Sequence, residues 1–175
     1  MFYEFFLKLD FGSIRKYFGF PIGDDMATTL KFLALVILLN IIRYAYAFLP
    51  LEQMVMLPMF AVMRENPSYF NADFTTMDWA TSFFYNFMMW LTCTWVFMLM
   101  QARLKGHIIV RALKVYGLMF VMFASHSAIY MNHYSHPKEF YYYSILDALL
   151  VFPVVAVATG LLWPLFFKPV AHETH

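Results

Sequence analysis

The chain has 175 residues, of which 62% are hydrophobic, 21% aromatic and only 13% charged. This composition indicates an integral membrane protein, because so few charges cannot coat a water-facing globule. A net charge of +1 argues against a polyanion binder, and the single cysteine, Cys93, excludes an internal disulfide framework. The predicted partner is therefore the lipid bilayer, and no nucleic-acid partner is expected.

The N-terminal residues 1–23 are predicted to form an amphipathic helix that lies in the membrane interface. Glu4, Lys8 and Asp10 interrupt the apolar residues of this segment, which argues against a secretory signal peptide. Phenylalanines on one side would face the acyl chains, while Lys8 and Arg15 would meet lipid headgroups.

Residues 24–168 are predicted to form one membrane domain with four spanning helices, followed by a tail over residues 169–175. A spanning helix needs about 20 mostly apolar residues to cross about 30 Å of hydrocarbon. Runs of this kind cover about residues 29–49, 78–100, 109–131 and 142–166. The long connection after the first span holds a Met-rich stretch split by Pro58, and we expect a short half-buried helix there.

The positions of the basic residues predict that both termini face the cytoplasm. Translocated loops are depleted in Lys and Arg. Nine of the 12 basic residues lie before or near the start of the first span, around the connection between the second and third spans, or after the fourth. The other two connections hold only Arg64 and Lys138. The predicted fold class is therefore an all-α, multi-pass, four-transmembrane-helix bundle.

Three ionisable residues within the predicted spans mark a candidate site. Arg43, His126 and Asp147 fall about 8 to 9 Å below the predicted outer boundary, and Asn86 falls about 12 Å below it. Intramembrane charges are costly and often functional. In one interpretation, Asp147 and His126 share a proton while Arg43 or Asn86 orients a polar ligand headgroup. In another, an Arg43–Asp147 pair only fixes helix register, and in a third Arg43 extends outward to the interface.

A metal or haem site has only weak support in the sequence. His133 and His136 have a spacing that suits a metal ion on a helix, but Pro137 breaks the helix at that point. Methionines on the same side of the membrane are more often packing residues than copper ligands. A haem held by His126 would need two subunits, because His107 lies about 28 Å away along the same helix. No cofactor is therefore predicted.

Short motifs over about residues 35–165 resemble those of a known membrane family. Glu52 precedes Pro58 by six positions, Asn66 precedes Pro67, and further similar stretches are Ser82-Phe83, Leu104-Lys105-Gly106, Tyr116-Gly117 and Leu146-Asp147-Ala148-Leu149 before Pro153. With four spans and a long first outer connection, the chain resembles the EXPERA family of sterol isomerases and sigma-2-type receptors. The resemblance implies a cavity open to the lipid and a sterol-like or isoprenoid ligand.

The sequence thus predicts a membrane-embedded binder of a hydrophobic small molecule that carries one polar group. The candidate catalytic residues are Asp147, His126 and Glu52. Glu52, Asn86 and Asp147 are expected to contact the polar group of the ligand. The candidate ligand-binding residues are Arg43, Asn86 and Asn66, together with Trp90, Trp95 and Met89 for the apolar wall. If the protein is an enzyme, the expected reaction is double-bond isomerisation by protonation and deprotonation of an alkene. The alternative is a non-catalytic subunit of a larger respiratory, monooxygenase or photosynthetic membrane complex, and a homodimer is a further arrangement consistent with the sequence.

Overall fold

The computed structural model describes residues 26–71 and 74–167, and within these ranges it contains five α-helices and no strand. The helices are α1 (Met26–Tyr46), α2 (Pro50–Glu65), α3 (Thr76–Met100), α4 (Ile108–His133) and α5 (Lys138–Phe166). The four helices α1, α3, α4 and α5 are long and apolar enough to cross a membrane, which confirms the four apolar helices that the sequence predicts. The expected interfacial helix over residues 1–23 and the tail over residues 169–175 lie outside the described residues.

The first long helix begins and ends three residues earlier than the predicted span over residues 29–49. The chain leaves the helix after Tyr46, turns over residues 47–49 and is extended at the residue before Pro50. A residue before proline is disfavoured in the α region, and Leu49 accordingly adopts an extended conformation with ψ of 146°. Pro50 then occupies the first turn of α2, where a missing backbone N–H costs nothing. The helix expected in the long connection is therefore present.

The start of α3 is fixed by a reciprocal cap. The Thr75 hydroxyl accepts a hydrogen bond from the backbone N–H of Asp78, and the Asp78 carboxylate accepts one from the backbone N–H of Thr75. This capping box satisfies two donors that a helix start would otherwise leave unpaired. It explains why α3 begins at Thr76, two residues before the predicted span.

The four long helices form a closed ring in chain order, so that α1 packs on α3, α3 on α4, α4 on α5, and α5 again on α1. The α4–α5 interface is the most extensive, while α3 and α5 lie diagonally opposite each other. Helix α2 packs against α5. We call the end of the ring that carries α2 and residues 134–137 the upper end, and the end with residues 101–107 the lower end.

In the lower half, α4 and α5 approach each other closely at Gly160. A Cβ atom placed on Gly160 would lie 2.6 Å from the backbone Cα of Ile109, so only glycine fits without displacement of a helix. Small residues at such crossings let two membrane helices come close enough for backbone packing. The lower ends of α4 and α5 are therefore held in one register.

Three hydroxyl groups join three helices just above this crossing, and we call them the hydroxyl network. The Tyr116 hydroxyl of α4 lies 3.0 Å from the Thr94 hydroxyl of α3 and 2.9 Å from the Thr159 hydroxyl of α5. Thr94 also bonds the carbonyl of Trp90 on its own helix. All three side chains are buried, and the hydrogen bonds among them give each hydroxyl a partner within the bundle.

Candidate functional site

Arg43 joins α1, α2 and α5 at the upper end of the bundle. Its Nη2 atom donates a hydrogen bond to Asp147 Oδ1 at 3.4 Å, and its Nη1 atom lies 3.7 Å from Glu52 Oε1. The exposed fractions of these side chains are 10% for Arg43, 22% for Asp147 and 0% for Glu52. The structure thus brings together three of the residues singled out in the sequence, and we call them the charge cluster.

The charges of Arg43 and Glu52 both interact favourably with the dipoles of the helices that carry them. Arg43 lies in the last turn of α1, where the helix dipole favours a cation, and Glu52 lies in the first turn of α2, where it favours an anion. The chain turns between Tyr46 and Pro50, and this turn folds the start of α2 back beside the end of α1. This turn therefore brings the Glu52 carboxyl within 3.7 Å of the Arg43 guanidinium.

The charge cluster is incompletely hydrogen-bonded. Among the described residues, neither carboxyl oxygen of Glu52 nor Nη1 of Arg43 has a hydrogen-bond partner. Burial and, second to it, the nearby Asp147 carboxyl raise the pKa of Glu52 to about 8, although Arg43 acts against both effects. Glu52 is therefore mainly protonated at neutral pH, and Arg43 and Asp147 remain as a balanced ion pair.

A cavity of about 440 Å³ lies beside the charge cluster and is lined by residues of all four long helices. Its polar lining residues are Arg43, Ser82, Tyr85, Asn86 and Asp147. Its apolar lining residues are Met89, Trp90, Phe123, Ala148, Val151 and Phe152. The polar groups lie toward the upper end, and the apolar groups of α3 and α5 follow them downward. Small-molecule sites typically have about 300–1,000 Å³, apolar walls and a few placed polar groups, and this cavity has those properties.

The orientation of the Asn86 amide is fixed by Trp90. The Trp90 indole N–H donates to Asn86 Oδ1 at 2.7 Å. An indole nitrogen can only donate, so the amide oxygen must be the acceptor and the amide NH2 points elsewhere. The Trp90 ring is itself fully buried and packs against Phe152 at a centroid distance of 5.1 Å. Asn86 therefore lines the cavity with its oxygen occupied and its two N–H donors available.

Three other residues predicted for the site lie away from the cavity. His126 is exposed, and its ring packs edge-on against Tyr130 at a centroid distance of 4.6 Å, so no contact joins it to Asp147 within the described part of the chain. Trp95 faces outward from α3. Asn66 ends α2, where its side-chain amide bonds the Val62 carbonyl at 2.8 Å. The geometry therefore lends no support to a pocket role for these residues.

The cavity lining also includes Ser82, Tyr85 and Phe123, which were not predicted from the sequence. A signal for the first two was present. Positions 82, 85, 86, 89 and 90 recur at helical spacing, so they share one face of α3 on which polar residues give way to apolar ones. Helical periodicity alone would therefore have grouped Ser82 and Tyr85 with Asn86. We find no comparable signal for Phe123, because α4 is apolar on most of its faces.

His136, in the connection between α4 and α5, takes part in aromatic packing. His136 Nδ1 lies 2.8 Å from the Tyr141 hydroxyl, and the His136 ring stacks on Tyr134 at a centroid distance of 5.9 Å. His133 is exposed at the end of α4. In residues 26–71 and 74–167, no group of three or more His, Cys, Asp or Glu side chains lies together in a way that could hold a metal ion.

Comparisons of the chain with known protein families, with curated proteins and with solved structures find no match. The resemblance to the EXPERA family therefore stays a prediction from short motifs. The function must be inferred from the charge cluster and the cavity themselves.

Proposed function

We propose that this protein binds a hydrophobic, sterol-like or isoprenoid small molecule in its membrane domain, with the polar group of the ligand at the charge cluster. The observation that carries the proposal is the cavity of about 440 Å³, whose apolar walls end at the Arg43–Asp147 pair. A ligand dissolved in the bilayer would fit such a site, because one end needs hydrocarbon contact and the other a polar partner.

The incomplete bonding of the charge cluster supports a ligand contact. An ion pair that served only to hold two helices together would be expected to satisfy its own buried atoms, since unpaired polar groups are costly in a low-dielectric interior. Here the shortest Arg43–Asp147 distance is 3.4 Å, and Arg43 Nη1 has no hydrogen-bond partner among the described residues. A polar group of the ligand on the cavity side of the pair would give the Arg43 guanidinium a further hydrogen-bond partner.

The proposal is one of binding and not of isomerase catalysis. Of the three acid or base residues predicted from the sequence, only Asp147 lines the cavity. Glu52 contacts Arg43 but does not line the cavity, and His126 faces outward. Proton transfer to a bound alkene would thus depend on one carboxyl group that is already paired with Arg43.

Photoaffinity labelling tests the proposed site. The purified protein in lipid nanodiscs would be irradiated with diazirine analogues of cholesterol and of farnesol, and labelled peptides would be mapped by mass spectrometry. We expect labels on the cavity-facing residues of α3 and α5, and competition by the unlabelled parent compound. Met89→Trp should abolish the labelling because it fills the cavity, whereas Met88→Trp, at an adjacent position that is 39% exposed, should leave it intact.

Two outcomes would overturn the proposal. Labels confined to the outward faces of the helices, and unaffected by Met89→Trp, would mean that the probes report only lipid contact. Native mass spectrometry that finds fixed stoichiometry with unrelated subunits, and no retained small molecule, would favour the accessory subunit of a larger complex.

A further inference from the structure

We propose that the cavity selects a ligand whose polar group is an uncharged oxygen, a carbonyl or a hydroxyl, bound between Arg43 and Asn86, and that it rejects amines and carboxylates on the same skeleton. This inference rests on the proposed function and specifies its ligand chemistry. Three features of the cavity carry it: the donors available, the charge balance and the position of Asp147.

The first feature is the presence of hydrogen-bond donors from two different helices at the polar end. Asn86 presents its amide NH2, because Trp90 occupies its oxygen. Arg43 also lines the cavity, and of the five N–H donors of its guanidinium the structure shows one, on Nη2, bonded to Asp147. Two donors from α1 and α3 favour an acceptor on the ligand, and an oxygen atom with two lone pairs can accept from both.

The second feature is the balance of charge around these donors. Arg43 is matched by Asp147, and the buried Glu52 carboxyl is mainly protonated at neutral pH because burial raises its pKa. A carboxylate ligand would add a negative charge beside two carboxyl groups. An ammonium ligand would lie against the guanidinium and would have to compete for a carboxylate that is already paired. Either added charge is costly in a water-poor interior, whereas a neutral oxygen adds none.

The third feature separates a hydroxyl from a hydrocarbon. Asp147 lines the same cavity and keeps 22% of its side chain exposed, so it can accept a hydrogen bond in addition to that of Arg43. A ligand hydroxyl could therefore accept from Arg43 or Asn86 and donate to Asp147, while a carbonyl would use the donors only. A hydrocarbon would leave the donors unpaired.

A matched series of farnesyl compounds tests the selection. Farnesol, farnesal, farnesylamine, farnesoic acid and farnesene share one skeleton and differ in the terminal group. Each would compete with the photoreactive farnesol analogue for the protein in nanodiscs, with concentrations corrected for partition into empty nanodiscs. We expect farnesol and farnesal to compete at concentrations at least about tenfold lower than those the other three compounds need. The reason is the free energy of hydrogen bonds to a charged or buried partner.

Asn86→Asp provides the structural control. The new carboxylate can still accept from the Trp90 indole, but it removes the NH2 donor and adds a negative charge to the cavity. We expect farnesol and farnesal to lose their advantage in this variant and farnesylamine to gain affinity. The same change at an exposed position of α4, Asn132→Asp, should leave the wild-type order intact.

The wild-type series decides the question even if Asn86→Asp does not fold. Equal competition by all five compounds, farnesene included, would overturn the selection of a neutral oxygen while leaving the cavity as a binding site. Strongest competition by farnesylamine or farnesoic acid would overturn it as well. No competition by any compound, together with labelling that Met89→Trp does not reduce, would overturn the proposed function itself.

Discussion

Replacing Glu52 by glutamine should make the free energy of unfolding less dependent on pH. The Glu52 side chain is fully buried, and its pKa is raised from a reference value of 4.5 to about 8, mainly by burial. Between these two values the folded protein keeps a proton that the unfolded chain releases. The stability contribution of the protonated carboxyl is thus fully present below pH 4.5 and is lost as the pH rises toward 8.

The size of the effect follows from proton linkage. One proton held only by the folded state lowers the free energy of unfolding by about 1.4 kcal/mol for each pH unit. Between pH 5 and pH 7 the wild type should therefore lose up to about 3 kcal/mol relative to Glu52→Gln, whose amide does not titrate. All other ionisable groups are present in both proteins, so their contribution cancels in the difference.

The measurement is equilibrium unfolding by SDS in mixed micelles, followed by far-UV circular dichroism at several pH values. Glu65→Gln is the matched control, because Glu65 is an exposed residue at the other end of the same helix. This variant should run parallel to the wild type at every pH. A Glu52→Gln protein that is less stable than the wild type throughout, with a gap that does not shrink as the pH rises, would show that Arg43 holds Glu52 as a carboxylate and would refute the reasoning.

Three further predictions concern the bundle. Gly160→Ala should destabilise the protein by about 1–3 kcal/mol because of the backbone clash. Gly117→Ala, with no packing neighbour within 4 Å of the new Cβ, should stabilise it by up to about 1 kcal/mol through higher helix propensity. Thermal unfolding of both variants checks this prediction. Tyr116→Phe removes two interhelical hydrogen bonds worth about 0.6 kcal/mol each, so SDS unfolding should show a loss of about 1 kcal/mol. If both termini are cytoplasmic, an impermeant maleimide added to spheroplasts should label Ser135→Cys and not Lys105→Cys. The native cysteine is buried, so the introduced cysteine should account for the labelling.

Length and hydropathy were enough to predict the four long helices, because each must present a nearly continuous apolar surface. The Arg43–Asp147 contact could also be predicted, since both charges lie at a similar depth and an unpaired charge in hydrocarbon is costly. The entry of Glu52 into the same cluster could not be predicted from depth. It depends on the turn between Tyr46 and Pro50, and backbone geometry of this kind is not encoded in hydropathy.

The property hardest to predict was which side chains of each helix point into the bundle. Trp90 and Trp95 are five residues apart, which on a helix turns the second by about 140° from the first, so they could not both line one cavity. The structure selects Trp90. His126 lies on α4, where apolar residues occur on most faces, and no polar stripe in the sequence shows which face is buried.

The hydroxyl network and the Gly160 crossing join α3, α4 and α5 below the cavity. Thr94 lies eight residues below Asn86 on α3, a separation of about 12 Å, and Thr159 lies about 18 Å below Asp147 on α5. Below the cavity, three helices are pinned together by buried hydrogen bonds and by backbone contact. The contacts that join these three helices thus lie in the lower half of the bundle, and the cavity lies between the upper parts of the helices. If a bilayer-dissolved molecule binds as proposed, we expect it to enter between the upper ends of the helices, because entry there would leave these lower contacts intact.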